Sequence, residues 1–113
     1  MRIFVFGSNL AGRHGKGAAL YALQHHGAEY GHGYGLKGNS YAIPTKDYYL
    51  KTLELNLIEE FCKTFCDFAR AHPQYEFDLT PIGCGLAGYK REQIRPFFKD
   101  VSSNVHFTKE WDE

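Results

Sequence analysis

Glycine is crowded into two stretches of this chain. Of twelve glycines, nine (Gly7, Gly12, Gly15, Gly17, Gly27, Gly31, Gly33, Gly35 and Gly38) precede residue 40, and the rest are Gly83, Gly85 and Gly88. Glycine is the residue for left-handed backbone and for close approach of the main chain to something else. The chain therefore turns tightly, or admits a neighbour, in two separate places. Each cluster follows a run with strand character: Ile3–Phe6 is apolar, β-branched and aromatic and stops at Gly7, and Phe77–Ile82 leads into Gly83-Cys84-Gly85.

The remaining elements follow from periodicity and breakers. Gly17 to Gln24 has good helix formers and ends near Gly27, and Gly27 to Gly38 reads as loop. Ser40–Ile43 is a second strand whose pairing Pro44 is expected to end. The clearest helix runs from about Thr52 to Ala71. Leu53, Leu57, Ile58, Phe61, Cys62, Phe65, Phe68 and Ala69 form its apolar face, and His72-Pro73 closes it. A third helix starts near Arg91, shortened or kinked by Pro96, and Asn104–Phe107 is a last short strand. Strands alternating with helices predict an α/β fold with a largely parallel sheet covered by helices. Ligands of such sheets bind beyond the carboxyl ends of the strands, where both glycine clusters fall.

Composition narrows the class. At 113 residues and with no linker, repeat or low-complexity tract, one domain spanning 1–113 is expected. Thirteen Lys and Arg balance thirteen Asp and Glu, which argues against avid non-specific binding to nucleic acid. No apolar run approaches the ~20 residues of a bilayer span, and the start lacks the pattern of a secretory leader. Three cysteines cannot all pair within one chain, which favours a reducing compartment; a cytoplasmic protein without membrane partners is the expectation.

Three segments carry candidate chemistry. The first loop, Gly7-Ser8-Asn9-Leu10-Ala11-Gly12-Arg13-His14-Gly15-Lys16-Gly17, opens directly into a helix. Its unblocked N–H groups and the helix dipole suit an anion, although it is neither a Walker A sequence nor GxGxxG. At the end of the second strand, Thr45-Lys46 points a lysine toward the same crevice, as a cation for phosphate or a nucleophile toward a sugar carbon; the alternative is a solvated lysine beside Asp47. The second loop, Gly83-Cys84-Gly85-Leu86-Ala87-Gly88-Tyr89, lets the backbone approach a diphosphate. Tyr89 either stacks on a sugar or base or is a core aromatic. Cys62 and Cys66 are read as core packing, Cys84 as filler of a tight place, and His25, His26 and His32 match no metal spacing. No metal or cofactor is expected. Trp111 near the chain end is either an interface residue or packs back on its own domain.

Taken together, Asn9–Leu20, Ile43-Pro44-Thr45-Lys46 and Ile82-Gly83-Cys84-Gly85-Leu86 resemble the macrodomain family, the fold that binds ADP-ribose. The likeness is greatest to the branch of terminal ADP-ribose glycohydrolases and DNA ADP-ribosyl glycohydrolase antitoxins, and it covers about residues 3 to 95. The resemblance implies a three-layer fold, a mixed, largely parallel sheet flanked by helices. It implies that Asn9 holds the distal ribose, that Gly15-Lys16-Gly17 wraps that ribose and its phosphate, and that Gly83 to Gly88 cradles the diphosphate. Lys46 matches the lysine that acts on the anomeric carbon. Ser8, Thr45 and Tyr89 complete the expected ligand contacts, with Lys46 and Asn9 catalytic. Two departures accompany it. Where glycohydrolases of protein acyl links carry an aspartate, this chain has Ala87, which points away from protein-ester hydrolysis. It also begins at the strand before the first loop, so the adenine-reading acid of longer macrodomains has no counterpart.

Two functions follow as expectations. The first is hydrolysis of an ADP-ribosyl glycosidic link on DNA or protein. The second is a non-catalytic binder that sequesters ADP-ribose or a related nucleotide. A third reading, a partner-binding domain that keeps only the fold, predicts no nucleotide binding at all. Substrate linkage and oligomeric state are not readable from these residues.

Overall fold

Alternation along the first strand decides how the layers stack. In β1 (Arg2–Asn9), Ile3 and Val5 enter one core and Phe6, with Phe4 beside it, enters another, because successive side chains of a strand leave on opposite faces. The computed structural model describes residues 1–113. On the Ile3/Val5 face lies a cluster of 17 buried residues, to which helix α2 (Leu55–Ala71) contributes Ile58, Cys62, Phe65, Cys66 and Ala69. Those five follow helical spacing and make one stripe. On the Phe6 face a smaller cluster joins Ala19 and Ala22 of helix α1 (Gly17–His25) to Ala28 and Ala42. The sheet thus has a helix on each face.

Five strands form the sheet in the order β2-β3-β1-β4-β5. Strand β1 runs parallel to β3 (Ser40–Lys46) on one side and to β4 (Glu76–Leu79) on the other, β4 is parallel to β5 (Val105–Phe107), and the short β2 (Gly35–Lys37) is antiparallel to β3. This is an α/β fold with a mixed, mostly parallel sheet. From β1 the chain crosses through α1 to β3, then through α2 to β4 on the opposite side of β1. The carboxyl end of β1 is therefore a topological switch point, where the two crossovers diverge and leave a crevice.

Several boundaries differ from the sequence reading, each for a physical reason. Residues 27–38, expected to be loop, contain β2, three residues that pair only through the distant β3. Strand β3 does not stop at Pro44. Asn39 C=O accepts from Phe4 N–H, so by alternation Tyr41 and Ile43 face β1 while Pro44 faces the opposite edge. There β2 ends opposite Ala42, so the missing proline N–H has no strand to bond. Strand β4 ends at Leu79 rather than Ile82, and α2 begins at Leu55 because Thr52 bridges to Lys46. Helix α3 (Arg91–Ile94) lasts one turn before Pro96 enters a 3₁₀ turn, Arg95–Phe98. Trp111 packs back on its own domain: it is buried in a final 3₁₀ turn and its Nε1 donates to Leu79 C=O at 2.7 Å. No helix is long and apolar enough to cross a membrane.

One buried side chain ties the far end of the sheet to α2. Asn104 Nδ2 lies 3.0–3.1 Å from the carbonyls of Ala69, His72 and Tyr75, while its Oδ1 accepts from Ser102 Oγ at 2.6 Å. Asn104→Ala strips these carbonyls of their donor in a buried place, which costs about 1–3 kcal/mol. Thermal melting is expected to show a fall of about 5–15 °C.

Candidate functional site

The site begins with an irregularity at the switch point. Opposite β3, the register of β1 slips between Ser8 and Asn9: Ser8 pairs with Pro44, Asn9 with Lys46, and Thr45 is the extra residue. Such a bulge re-aims the residues that follow it. Thr45 is consumed by the fold, its hydroxyl donating to Ser8 C=O at 3.1 Å in a buried position. Ser8 is likewise buried, its hydroxyl donating to Gly33 C=O. Asn9 braces the first glycine loop: Nδ2 donates to Arg13 C=O at 2.8 Å and Oδ1 accepts from Arg13 N–H at 2.9 Å. One N–H and one lone pair of that amide remain for a ligand.

Backbone contact, which no spacing rule reveals, holds this loop in shape. A Cβ on Gly12 would sit 2.4 Å from the Gly31 carbonyl carbon, and one on Gly33 would sit 2.0 Å from Asn9 O. The segment 31–33 is therefore pressed directly onto the first loop. His14 pins the pair from beneath. It is fully buried, edge-on to Phe6, and its Nε2 is 3.0 Å from His32 C=O.

The second glycine loop meets β1 at Gly7, where an added Cβ would approach Gly83 N to 3.2 Å. Cys84, Gly88 and Tyr89 spend their N–H groups within the loop, on Pro81, Gly85 and Gly83 carbonyls. Gly85, Leu86 and Ala87 do not. Across from them, Gly15 to Ala19 at the start of α1 also have amides without an acceptor in the protein, and no side chain caps α1. Both runs line one cleft of about 1410 Å³, above the ~300–1,000 Å³ of an ordinary small-molecule pocket. Leu86 spans it, its Cδ1 3.8 Å from where a Gly17 Cβ would stand. Facing runs of unpaired N–H groups make an anion site.

Of the residues singled out from sequence, Ser8, Asn9, Gly15, Lys16, Gly17, Thr45, Lys46, Gly83, Cys84, Gly85, Leu86 and Ala87 all line this cleft. Gly88 and Tyr89 do not. The Tyr89 hydroxyl donates to Leu53 C=O at 2.7 Å and its ring packs on the main core, so the aromatic is structural and does not line the cleft.

Charge is distributed to match. Lys46 is half-buried and makes no ion pair, because the Asp47 carboxylate is taken by the N–H groups of Tyr49 and Lys51 at 2.8 and 2.9 Å. That carboxylate fixes a tight turn in which Leu50 adopts φ 65°, a strained value for a branched side chain, at the cleft wall. Arg13, Lys16 and Arg91 line the cleft without salt-bridge partners as well. Of its two carboxylates, Asp78 is held by Arg2 at 2.6 Å and Glu110 has no ion-pair partner. In a chain of zero net charge, this gathers positive potential in one place. Sequence reasoning missed Arg91 and the aromatic wall of Phe4, Tyr21 and His26, where Phe4 and His26 stack at 4.5 Å. Partial burial holds the His26 imidazole below its ordinary value, with His25 adding to the effect.

The thiols are not activated. Burial pushes Cys84 up, only partly opposed by Arg91, and pushes Cys66 up to about 11 and Cys62 further still. No three His, Cys, Asp or Glu side chains come together as a metal site would require. At pH 8, iodoacetamide is expected to label native Cys84 slowly and Cys62 and Cys66 only after unfolding, as read by mass spectrometry. Stability falls as pH rises above about 8.5, because unfolded thiols release protons that the folded ones keep.

Comparison with protein-family models, with curated proteins and with solved structures returns no match to this chain.

Proposed function

We propose that the chain is a macrodomain-like protein whose cleft binds ADP-ribose or a related nucleotide and hydrolyses an ADP-ribosyl glycosidic link. The observation that carries this reading is the pair of facing amide runs, Gly15–Ala19 and Gly85–Ala87, with Asn9 and Lys46 beside them at the switch point. A diphosphate seated between the runs satisfies donors that otherwise have no acceptor. The distal ribose then falls at the end of β1, where the spare hydrogen-bonding capacity of Asn9 takes its hydroxyls. Lys46 stands at the anomeric carbon as an uncompensated lysine at the end of β3, and acts there as a cation or as a nucleophile. The reaction breaks the bond from the anomeric carbon to the departing base or hydroxyl, which takes up a proton from water, and the remaining hydroxide bonds to that carbon. Where Lys46 attacks first, water instead breaks the bond from its Nζ and returns the amine.

One observation favours the non-catalytic alternative. Ala87 supplies no carboxylate, and the cleft's acids are Asp78, already paired with Arg2, and Glu110 beyond β5, so no free carboxylate flanks Lys46 as a general base. Calorimetric titration with ADP-ribose tests binding, and analysis for ADP-ribose released from ADP-ribosylated oligonucleotide and protein tests turnover. At 100 times the dissociation constant, ADP-ribose is expected to stabilise the fold by about 2.7 kcal/mol. An unchanged melting temperature at millimolar ADP-ribose removes both readings and leaves a fold-only partner domain. Binding without release selects the sequestering module.

A further inference from the structure

We propose that Arg91 forms the cationic wall of the diphosphate subsite, gripping one phosphate through its guanidinium fork and making the cleft selective for a diphosphate over a single phosphate. This assignment rests on the reading of the cleft as a nucleotide-diphosphate site, and adds to the two glycine loops a residue outside both.

Arg2 and Arg70 are each held by an aspartate, Asp78 and Asp67, and Arg95 lies over the Phe107 ring at 3.7 Å. Arg13 is exposed. Arg91 alone is half-buried with neither carboxylate nor aromatic partner. Its Nε is shut off from water and has no acceptor. A buried donor left without a partner costs about 1–3 kcal/mol, and more when it belongs to a charged group. Its two Nη groups are neither buried nor bonded within the chain, so they are the donors that a ligand in the cleft reaches.

Position says which ligand group. Arg91 is the first residue of α3, immediately after the second glycine loop, and shares the cleft wall with Cys84, Gly85 and Leu86. The opposite wall is the unpaired start of α1. A ligand with two linked phosphates places one against α1 and the other between Gly85–Ala87 and Arg91. A monophosphate engages one wall only. Planar, doubly donating and always charged, a guanidinium matches a phosphate edge in a way that single amides and a lysine ammonium do not. Facing away from the cleft, Arg91 borders a shallow depression with Glu92, Asp112 and Glu113, none of which is within ion-pair distance.

The test is calorimetric titration of the wild type, Arg91→Gln and Arg91→Lys with inorganic pyrophosphate, inorganic phosphate and ADP-ribose, with melting temperatures recorded alongside. The wild type is expected to bind pyrophosphate more tightly than phosphate. Arg91→Gln is expected to weaken pyrophosphate and ADP-ribose at least about ten-fold, as for loss of a charge-assisted bidentate contact. Phosphate should change less, and the melting temperature by no more than a degree or two. Arg91→Lys should fall between, having the charge without the fork. If Arg91→Gln does not fold, the Lys variant decides alone, and wild-type affinity in it overturns the assignment. Melting that drops while affinities hold means that Arg91 serves Glu92, Asp112 or Glu113, which also overturns it. Pyrophosphate binding that depends on Arg91, with no binding of ADP-ribose, keeps the assignment and sinks the ADP-ribose reading. The reverse, ADP-ribose binding indifferent to Arg91, keeps that reading and sinks this one.

Discussion

Lys46→Ala is expected to reduce release of ADP-ribose from a glycosidically linked substrate by about 10²–10⁴-fold, while ADP-ribose binding changes no more than a few-fold. The separation follows from where the residue sits. Its backbone is fixed by Asn9 across the bulge, by Leu10 N–H at 3.0 Å from its carbonyl, and by the bridge to Thr52. None of these uses the side chain, so alanine keeps the loop. Most of the affinity in this reading comes from amides donating to the diphosphate, which the substitution does not touch. Lost is the unneutralised charge that this reading places at the reacting carbon. Lys46→Arg divides its two roles: a guanidinium stays protonated, so it keeps electrostatic assistance and cannot attack carbon. Residual turnover in Lys46→Arg with none in Lys46→Ala assigns Lys46 as a cation. Equal loss in both, with borohydride trapping a covalent adduct on the wild type, assigns it as a nucleophile. Wild-type turnover in Lys46→Ala strikes the residue from the mechanism and leaves Asn9 and the amide runs as a binding site.

How much of this could be read beforehand depended on how local each cause is. Strand β1 and helices α1 and α2 were legible because an apolar β-branched run, a run of good helix formers and an apolar periodicity are each written in consecutive residues. The convergence of Asn9, Lys46 and the two glycine loops on one cleft was legible at one remove, since strand ends in an alternating α/β chain share a side of the sheet. Features that depend on remote partners were not. Strand β2 is three residues between glycines and exists only by pairing with β3. Pro44 reads as a terminator until one knows which edge of β3 its nitrogen faces. Tyr89 follows a glycine loop as a ligand-stacking residue would, yet its hydroxyl finds Leu53, 36 positions away. Arg91 carries no signal in its neighbours, because being unpaired is a property of the whole charge arrangement. The compression of residue 33 onto Asn9 is of the same kind. Nothing in Gly31-His32-Gly33-Tyr34-Gly35 says which glycine is needed for space and which for dihedral freedom.

That last distinction gives the second large effect. Gly33→Ala is expected to lower stability by about 2–4 kcal/mol, within the range of severe single-residue disruptions, and the melting temperature by roughly 10–20 °C. Gly33 is not held at positive φ, so an alanine backbone is allowed there; the cost is space. The new methyl would begin 2.0 Å from Asn9 O and 3.1 Å from Gly12 N, and both neighbours are main chain, so no rotamer change relieves it. Relief requires segment 31–33 to lift away from β1. Lifting breaks the Ser8 hydroxyl bond to Gly33 and the contact of His14 with His32, and leaves the fully buried His14 ring without its carbonyl. Asn9 is displaced directly, so ADP-ribose affinity is expected to fall at least ten-fold even in protein kept folded at low temperature. Gly31→Ala is the control. Gly31 has φ +86° and nothing within 4 Å of an added Cβ, so alanine there pays only the left-handed strain, about 1–2 kcal/mol, and leaves Asn9 in place. Melting curves and ADP-ribose titrations on the two variants check the ranking. A Gly33→Ala protein that melts and binds like the wild type would mean that segment 31–33 does not rest on the first loop, and that the shape of the cleft at the end of β1 is set by Asn9 and Arg13 alone.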